Sequence, residues 1–426
     1  MQIYEHSVLL DQTKCTGCTT CLKHCPTEAI RITDGHAVIN NSRCIDCGEC
    51  IRVCPHKAKK AVLGKLTDID RFKWKIALPA PTLYGQFDNL DDVDYVLDGL
   101  YKIGFDDVFE VSKAAELVSA YTRQYLKFDG VKKPAISSAC PVVLRLISLR
   151  FPSLEEHVIH MLPPMEVAAR LARERAISQH PELSPEQIGV FFISPCPAKA
   201  SYVKNGFGSY KSAVDDVISI SDVYFHLISK MKKDEEISSL SESGMIGLGW
   251  ARTGGEATAI FNEDYLAADG IDNVIHVLDL VETGNIPPLE FIELNACTGG
   301  CVGGVLTIQN PFIAKARLQA LRRYLPVSRN VLTKEELNYI PDIYLFDDLP
   351  RYKPITQLSD SIAESMRMMA DIQKLRQELP GIDCGSCGAP SCRAFAEDVI
   401  KGLLPADGCP IIGYKKLKEE RNHDDQ

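Results

Sequence analysis

The chain has 426 residues, 45% of them hydrophobic and 24% charged, with a formal net charge of −10. That length suits two or three domains with a sizeable core, and the composition is that of an ordinary globular protein. The acidic balance argues against nucleic acid or an anionic membrane as the main partner. No run of about 18 apolar residues offers a membrane-spanning helix, and the first ten residues lack the pattern of a secretory signal.

Sixteen cysteines are more than packing asks for. Such a number serves disulfides in a secreted protein or metals in a reducing one. Tight C-x-x-C spacing and the missing signal favour metal clusters in a reducing cytoplasm.

Residues 1–62 hold the first eight. Cys15, Cys18, Cys21 and Cys25 precede Pro26, and Cys44, Cys47, Cys50 and Cys54 precede Pro55. Both runs read C-x2-C-x2-C-x3-C-P. Three thiolates of each run reach three corners of a 4Fe-4S cube, while the fourth ligates the other cluster. One cluster is therefore expected on Cys15, Cys18, Cys21 and Cys54, the other on Cys44, Cys47, Cys50 and Cys25. A pair of structural zinc sites is the alternative. The segment resembles a bacterial two-cluster ferredoxin, a small α+β domain.

Residues 70–350 alternate between element types. Helices are expected over 91–103, 113–128, 143–150 and 164–178. Strands are expected over 108–111, 135–138, 188–194, 245–248 and 291–295. The alternation predicts an α/β domain with mostly parallel sheet. A short echo, ISSACP at 136–141 and ISPCP at 193–197, suggests two similar lobes, each with a strand ending in Cys-Pro. In open α/β sheets ligands bind beyond the carboxyl ends of strands.

A linking helix is expected over 355–379, with Ile362, Met366, Met369 and Ile372 at helical spacing and Pro380-Gly381 as its stop. In the terminal segment, 380–426, Cys384, Cys387, Cys392 and Cys409 form C-x2-C-x4-C-x16-C beside Gly385, Gly388 and Gly408. The segment resembles the small iron–sulfur domain of some corrinoid and redox proteins, which implies a third 4Fe-4S cluster. Zinc is again the alternative.

Cys140, Cys196, Cys297 and Cys301 remain. Buried free thiols are common, but these four stand on three loops that follow strands. The last two lie in ELNACTGGCVGGV, whose two Gly-Gly pairs are expected to leave space beside a fourth cube.

Three stretches, SSACP at 137–141, SPCPAK at 194–199 and ELNACTGGCVGG at 293–304, resemble in order the signature motifs of the FeFe-hydrogenase catalytic domain. Residues 253–255 (TGG) resemble a glycine pair of that domain. The resemblance implies reversible cleavage or formation of molecular hydrogen from protons. The site would be an H-cluster, a 4Fe-4S cube joined to a two-iron unit with carbon monoxide, cyanide and a bridging dithiolate. Cys140, Cys196, Cys297 and Cys301 would bind the cube, Cys301 would bridge to the two-iron unit, and Lys199 would donate to a cyanide. Three accessory 4Fe-4S clusters would relay electrons. A solvated surface lysine is the plainer reading of Lys199.

The chain departs from the prototypes at Ala139, where they carry a proton-relaying cysteine, and at Ser194, Tyr202 and Asn295. These changes spare every metal ligand and resemble the divergent members assigned to sensing, which implies slow turnover and a redox or signalling protein partner. Glu256 and Glu293 are the candidate replacement acid/base groups, against paired or helix-start carboxylates as the plainer reading. A homodimer is compatible with the sequence. Two other functions remain open: a non-catalytic relative used in cluster assembly, and a four-cube electron carrier.

Overall fold

A computed structural model describes residues 5–206, 211–231, 238–355 and 357–414. Residues 1–4 of the first expected domain, 356 of the linking helix and 415–426 of the terminal segment lie outside the described residues. Two compact units emerge, one of Met1–Cys44, Glu49–Ala61 and Lys353–Gln426, the other of Ile45–Gly48 and Val62–Tyr352.

The first unit contains β1 (Val8–Leu10), β2 (Ile30–Thr33), β3 (His36–Ile39) and β4 (Lys59–Ala61). β1 pairs with β4 and β2 with β3, both antiparallel. Asp34 and Gly35, both at positive φ, make the β2–β3 turn, the Asp-Gly hairpin chemistry that right-twisted strands favour. The cysteine repeat is also a backbone repeat. Gly17 and Asp46, Thr19 and Gly48, and Glu28 and Lys57 each stand 29 positions apart in sequence, and all six take positive φ. Four of the six are not glycine and accept a conformation that L-residues rarely adopt.

The terminal cysteines share this unit with seven of the first eight, Cys47 being the exception. A helix, Cys392–Ile400, is capped by Ser391, whose hydroxyl accepts the Ala394 N–H. Asp398 on that helix takes two guanidinium contacts from Arg31 at 2.5 and 3.1 Å, and Glu397 pairs with Arg43. The Ile32 N–H donates to the Gly388 carbonyl at 2.9 Å.

The second unit contains β5 (Trp74–Pro79), β6 (Asp107–Val108), β7 (Ala135–Ile136), β8 (Ile188–Ser194), β9 (Asp216–Ser219), β10 (Tyr265–Asp269) and β11 (Phe291–Asn295). They form two sheets, ordered β6-β5-β8-β9 and β10-β11-β7, and every pairing is parallel. All seven residues of β8 are buried, as expected of an apolar strand covered on both faces. Phe191 and Ile193 pack with Tyr84, Leu97, Leu100, Ile218 and Leu248 in the core. The architecture is the mixed α/β one with parallel sheets that the alternation predicts.

Three local expectations are corrected. Residues 245–248 are not a strand but part of a helix, Met245–Gly249. Short buried apolar runs do not distinguish the two by periodicity, and here a Cβ on Gly247 would lie 2.4 Å from the Ser112 carbonyl, so the run packs as a helix against the helix Val111–Tyr125. The expected strand 108–111 shrinks to β6 because Val111 already begins that helix. The linking helix starts at Ile362, where the Ser361 hydroxyl accepts the Glu364 N–H. Its Ile362, Met366 and Met369 are 81%, 67% and 51% exposed, so the apolar spacing reaches a core only at Ile372. No described helix is long and apolar enough to cross a membrane.

Candidate active site and cluster cavities

None of the sixteen cysteines is in a disulfide. Among the described residues, no three His, Cys, Asp or Glu converge as they would on a single metal ion. Twelve of the cysteines instead line three cavities, which Cys25, Cys44, Cys47 and Cys50 do not join. Cys15, Cys18, Cys21 and Cys54 line one, and Cys384, Cys387, Cys392 and Cys409 line another. Four thiols around a void fit a cluster, whereas a tetrahedral zinc site draws its sulfurs to one point. Cys54 stands with the first run, not its own. Cys25 and Cys50 pack beside Cys21 and Leu22. The repeat extends to the sulfurs: Cys25 Sγ accepts the Ala29 N–H at 3.2 Å and Cys54 Sγ the Ala58 N–H at 3.3 Å. Cys47 lies in the turn Ile45–Gly48, where Asp46 accepts the Ser201 hydroxyl.

Cys140, Cys196, Cys297 and Cys301 line a third cavity, of about 90 Å³, together with Lys199, Glu256 and Glu293. Each ligand loop leaves the carboxyl end of a parallel strand. Cys140 and Cys196 occupy the residue before a helix, and Pro141 and Pro197 are the first helical residues. Proline suits that first position and holds the preceding residue extended, so both thiols are fixed just beyond the carboxyl ends of their strands. Cys297 and Cys301 follow β11.

The Gly-Gly pairs do not leave open space. A Cβ on Gly300 would lie 2.6 Å from the Thr253 nitrogen, and one on Gly304 would lie 2.2 Å from the Pro195 carbonyl oxygen. These glycines let the Cys301 loop press against backbone at Thr253 and at the Cys196 loop, closing the wall of the cavity. The room comes from the separation of the strand ends.

Lys199 is not a solvated lysine. Its Nζ donates to the Ala139 carbonyl at 3.0 Å and sits 5.4 Å from the centre of the buried Tyr202 ring. Burial pushes the ammonium down, against the pull of Cys196, Cys140 and Cys301. Burial and then neighbouring Cys140 push the Cys196 thiol up to about 12, and the same causes push Cys301 to about 12. Clustered thiols that resist ionisation fit a site whose positive charge arrives with bound metal.

Glu256 and Glu293 are 5% and 3% exposed and have different surroundings. Glu293 accepts the Gly254 N–H at 3.0 Å, the Ala257 N–H at 2.8 Å and the Asn295 amide at 2.7 Å. It therefore also caps the helix Gly255–Ala259. Glu256 accepts the Ser137 hydroxyl at 2.6 Å. Burial raises both carboxyls. For Glu256 the second cause is Glu293, whereas the donors to Glu293 pull it back. Environments that separate two carboxyls in this way assign the charge to Glu293 and the proton to Glu256.

Sequence reasoning missed Thr82. Its hydroxyl is fully buried, lines the large cavity and has no hydrogen-bond partner among the described residues. Its position just past the carboxyl end of β5 was the available signal. Ala139 also lines the cavity, where it presents a methyl group.

The family described as "Iron only hydrogenase large subunit, C-terminal domain" matches residues 73–264 and 251–305. A 4Fe-4S dicluster domain family matches residues 7–55, and an Fe-S cluster family matches residues 379–411. The periplasmic Fe hydrogenase large subunit of Nitratidesulfovibrio vulgaris is 26% identical over 365 residues, covering 70% of this chain and 86% of that protein. One component of the ion-translocating oxidoreductase complex of Methanosarcina acetivorans is 48% identical over 56 residues, 13% of this chain and 20% of that protein. A variant of the FeFe-hydrogenase HydA1 from Chlamydomonas reinhardtii aligns with a TM-score of 0.47 at 15% identity, covering 60% of this chain and 87% of that one. With a family match spanning more than half of its length, the chain belongs to the iron-only hydrogenase large-subunit family, its matched domain preceded by a 4Fe-4S dicluster domain.

Proposed function

We propose that this protein cleaves or forms molecular hydrogen at an H-cluster, slowly and in a sensory or regulatory role, with electrons relayed through three accessory 4Fe-4S clusters. The observation that carries the reading is the size of the central cavity. Two four-cysteine cavities have volumes of about 20 and 10 Å³. The third, also with four cysteines, has about 90 Å³, more than four times as much. The surplus suits a second metal unit beside the cube. Cys140, Cys196, Cys297 and Cys301 would hold the cube, with Cys301 joining the two parts. Filled throughout, the chain would carry about eighteen iron atoms by these ligation rules.

When bound, the group supplies the chemistry that splits or joins the H–H bond. The chain supplies donors and a proton path. The Thr82 hydroxyl and the Lys199 ammonium are donors for anionic ligands in the surplus space. Glu256, kept protonated by burial, exchanges protons with the cavity, and Ser137 connects it to the Cys140 loop, since the Ser137 hydroxyl also accepts the Ala139 N–H at 3.2 Å. Replacing a positioned acid/base group typically costs about 10²- to 10⁴-fold in rate, so Ala139 makes turnover slow. Cysteines spaced for metal clusters suit a reducing cytoplasm, and the electrons would pass to a redox or signalling protein partner.

The test is hydrogen-dependent reduction of a viologen dye by anaerobically matured protein. The expected rate is measurable but about 10²-fold or more below that of a family member with cysteine at the Ala139 position. No reduction in protein with a full metal complement would reject the activity, and a rate equal to that of such a member would reject the slow role.

A further inference from the structure

Lys59 is the one lysine whose ammonium is buried without a hydrogen-bond partner among the described residues. It is 3% exposed, while its neighbour Lys60 faces solvent along the same strand. The side chain is turned inward, where it lines the cavity of Cys15, Cys18, Cys21 and Cys54. The repeat shows what this position otherwise holds. Lys59 stands 29 residues after Ile30, as Cys54 does after Cys25. Ile30 is an ordinary core residue, 2% exposed, packed beside Cys21 and Leu22. One half of the repeat thus carries an apolar side chain and the other a cation at the same place.

A buried, unpaired ammonium is strongly disfavoured unless an opposite charge meets it. Among the residues lining this cavity the anionic groups available are the cysteine sulfurs. Burial pushes the Cys21 thiol up, and the nearby Lys59 charge is the largest influence pulling it back.

We propose that Lys59 is a positioning residue that raises the reduction potential of the cluster on Cys15, Cys18, Cys21 and Cys54, and so makes it the preferred resting place for an electron within the repeat. The inference rests on the reading that these four thiols hold a 4Fe-4S cluster. The cube with its four thiolates is anionic and gains one more negative charge on reduction. A fixed cation in a low-dielectric wall stabilises the reduced form more than the oxidised one. The step is one electron from a low-potential donor to the cube, with no bond made or broken and no proton taken up. The partner cluster has Ile30 at the equivalent place and lacks this bias. The two clusters therefore differ in potential although their ligand spacing is identical.

The experiment is a potentiometric titration of the intact protein with dithionite, followed by electron paramagnetic resonance, on native protein and on Lys59→Met, Lys59→Ile and Lys59→Arg. Iron content and integrated spin report whether every cluster is retained. One cluster in the Met and Ile variants should become harder to reduce. Its reduced-to-oxidised ratio at a fixed potential should fall at least tenfold, which is about 59 mV for one electron, with the other clusters unmoved. Lys59→Arg, which keeps the charge, should retain the native potential. Full cluster content with every potential unchanged in both neutral variants would overturn the proposal. Loss of that cluster from both neutral variants, with Arg retaining it, would also overturn it, because the lysine would then be a structural support. Native protein with no cluster signal from this site would instead reject the cluster reading itself.

Discussion

Glu256 accepts the hydroxyl of Ser137 at 2.6 Å, three residues before Cys140. That contact joins a buried carboxyl on one loop to the loop of a proposed metal ligand. It also separates two glutamates that look alike in the sequence, since Glu293 takes two backbone N–H groups and an amide while Glu256 takes one hydroxyl.

The difference has a pH signature. Burial, and then Glu293, raise the Glu256 carboxyl from 4.5 to about 8. A group raised on folding contributes stability that is full below its unfolded value and is lost as pH rises through the folded one. Native protein should therefore lose thermal stability from about pH 5 to about pH 8, and Glu256→Gln should flatten that slope. Melting temperatures across this range decide it, and equal slopes for the two proteins would exclude Glu256 as the buried acid.

Activity should separate the two glutamates as well. Glu256→Gln is expected to cut hydrogen oxidation by about 10²-fold with little loss of stability at alkaline pH, because an amide keeps the shape but not the proton. Glu293→Gln should lower both, since it also weakens the cap on Gly255–Ala259, worth about 1 kcal/mol in typical helices. Paired turnover and melting measurements test this. Unchanged turnover in both variants would leave the proton path elsewhere.

Thr82 gives an opposite expectation for the metal-free and metal-loaded protein. A buried hydroxyl without a partner costs about 1–3 kcal/mol. Thr82→Val should therefore leave protein lacking the two-iron unit as stable as native or more so, while retention of that unit after maturation falls. Melting curves and iron analysis on both forms check it. A destabilised metal-free variant would mean that the hydroxyl is satisfied in solution.

Ala139→Cys should raise turnover by less than about tenfold, well short of the usual worth of a positioned acid/base group. The new thiol would face the cavity, but the resemblance to the prototypes implies an acidic relay residue where this chain has Tyr202, whose buried ring lies against Lys199. Dye-reduction assays on native and variant protein measure this. Full recovery to the rate of a cysteine-bearing family member would show that Tyr202 is no obstacle.

Much of this was legible in the sequence because ligand chemistry is local. Spacing identifies cysteines that share a turn, and a strand ending in Cys-Pro fixes where a thiol stands. Residues 245–248 misled because a buried apolar run lacks the polar alternation that would identify its period. The glycine pairs misled for a related reason. Sequence shows that a Cβ is missing at Gly300 and Gly304 but not whether ligand or backbone fills the gap. Thr82 was invisible because an orphaned hydroxyl is defined by partners it lacks in three dimensions. The inward lysine at 59 was present in the repeat as a mismatch with Ile30, yet the strand's facing had to be known before it acquired meaning.

The central claim is that the surplus room beside Cys301 holds a two-iron unit. An infrared spectrum of the protein, purified anaerobically after maturation, tests it most directly. Bands from metal-bound carbon monoxide and cyanide are expected in the native protein and should vanish in Cys301→Ser, while the ferredoxin-type clusters persist in both. Native protein that has been given the maturation system, carries four cubes and shows no such bands would contradict the claim.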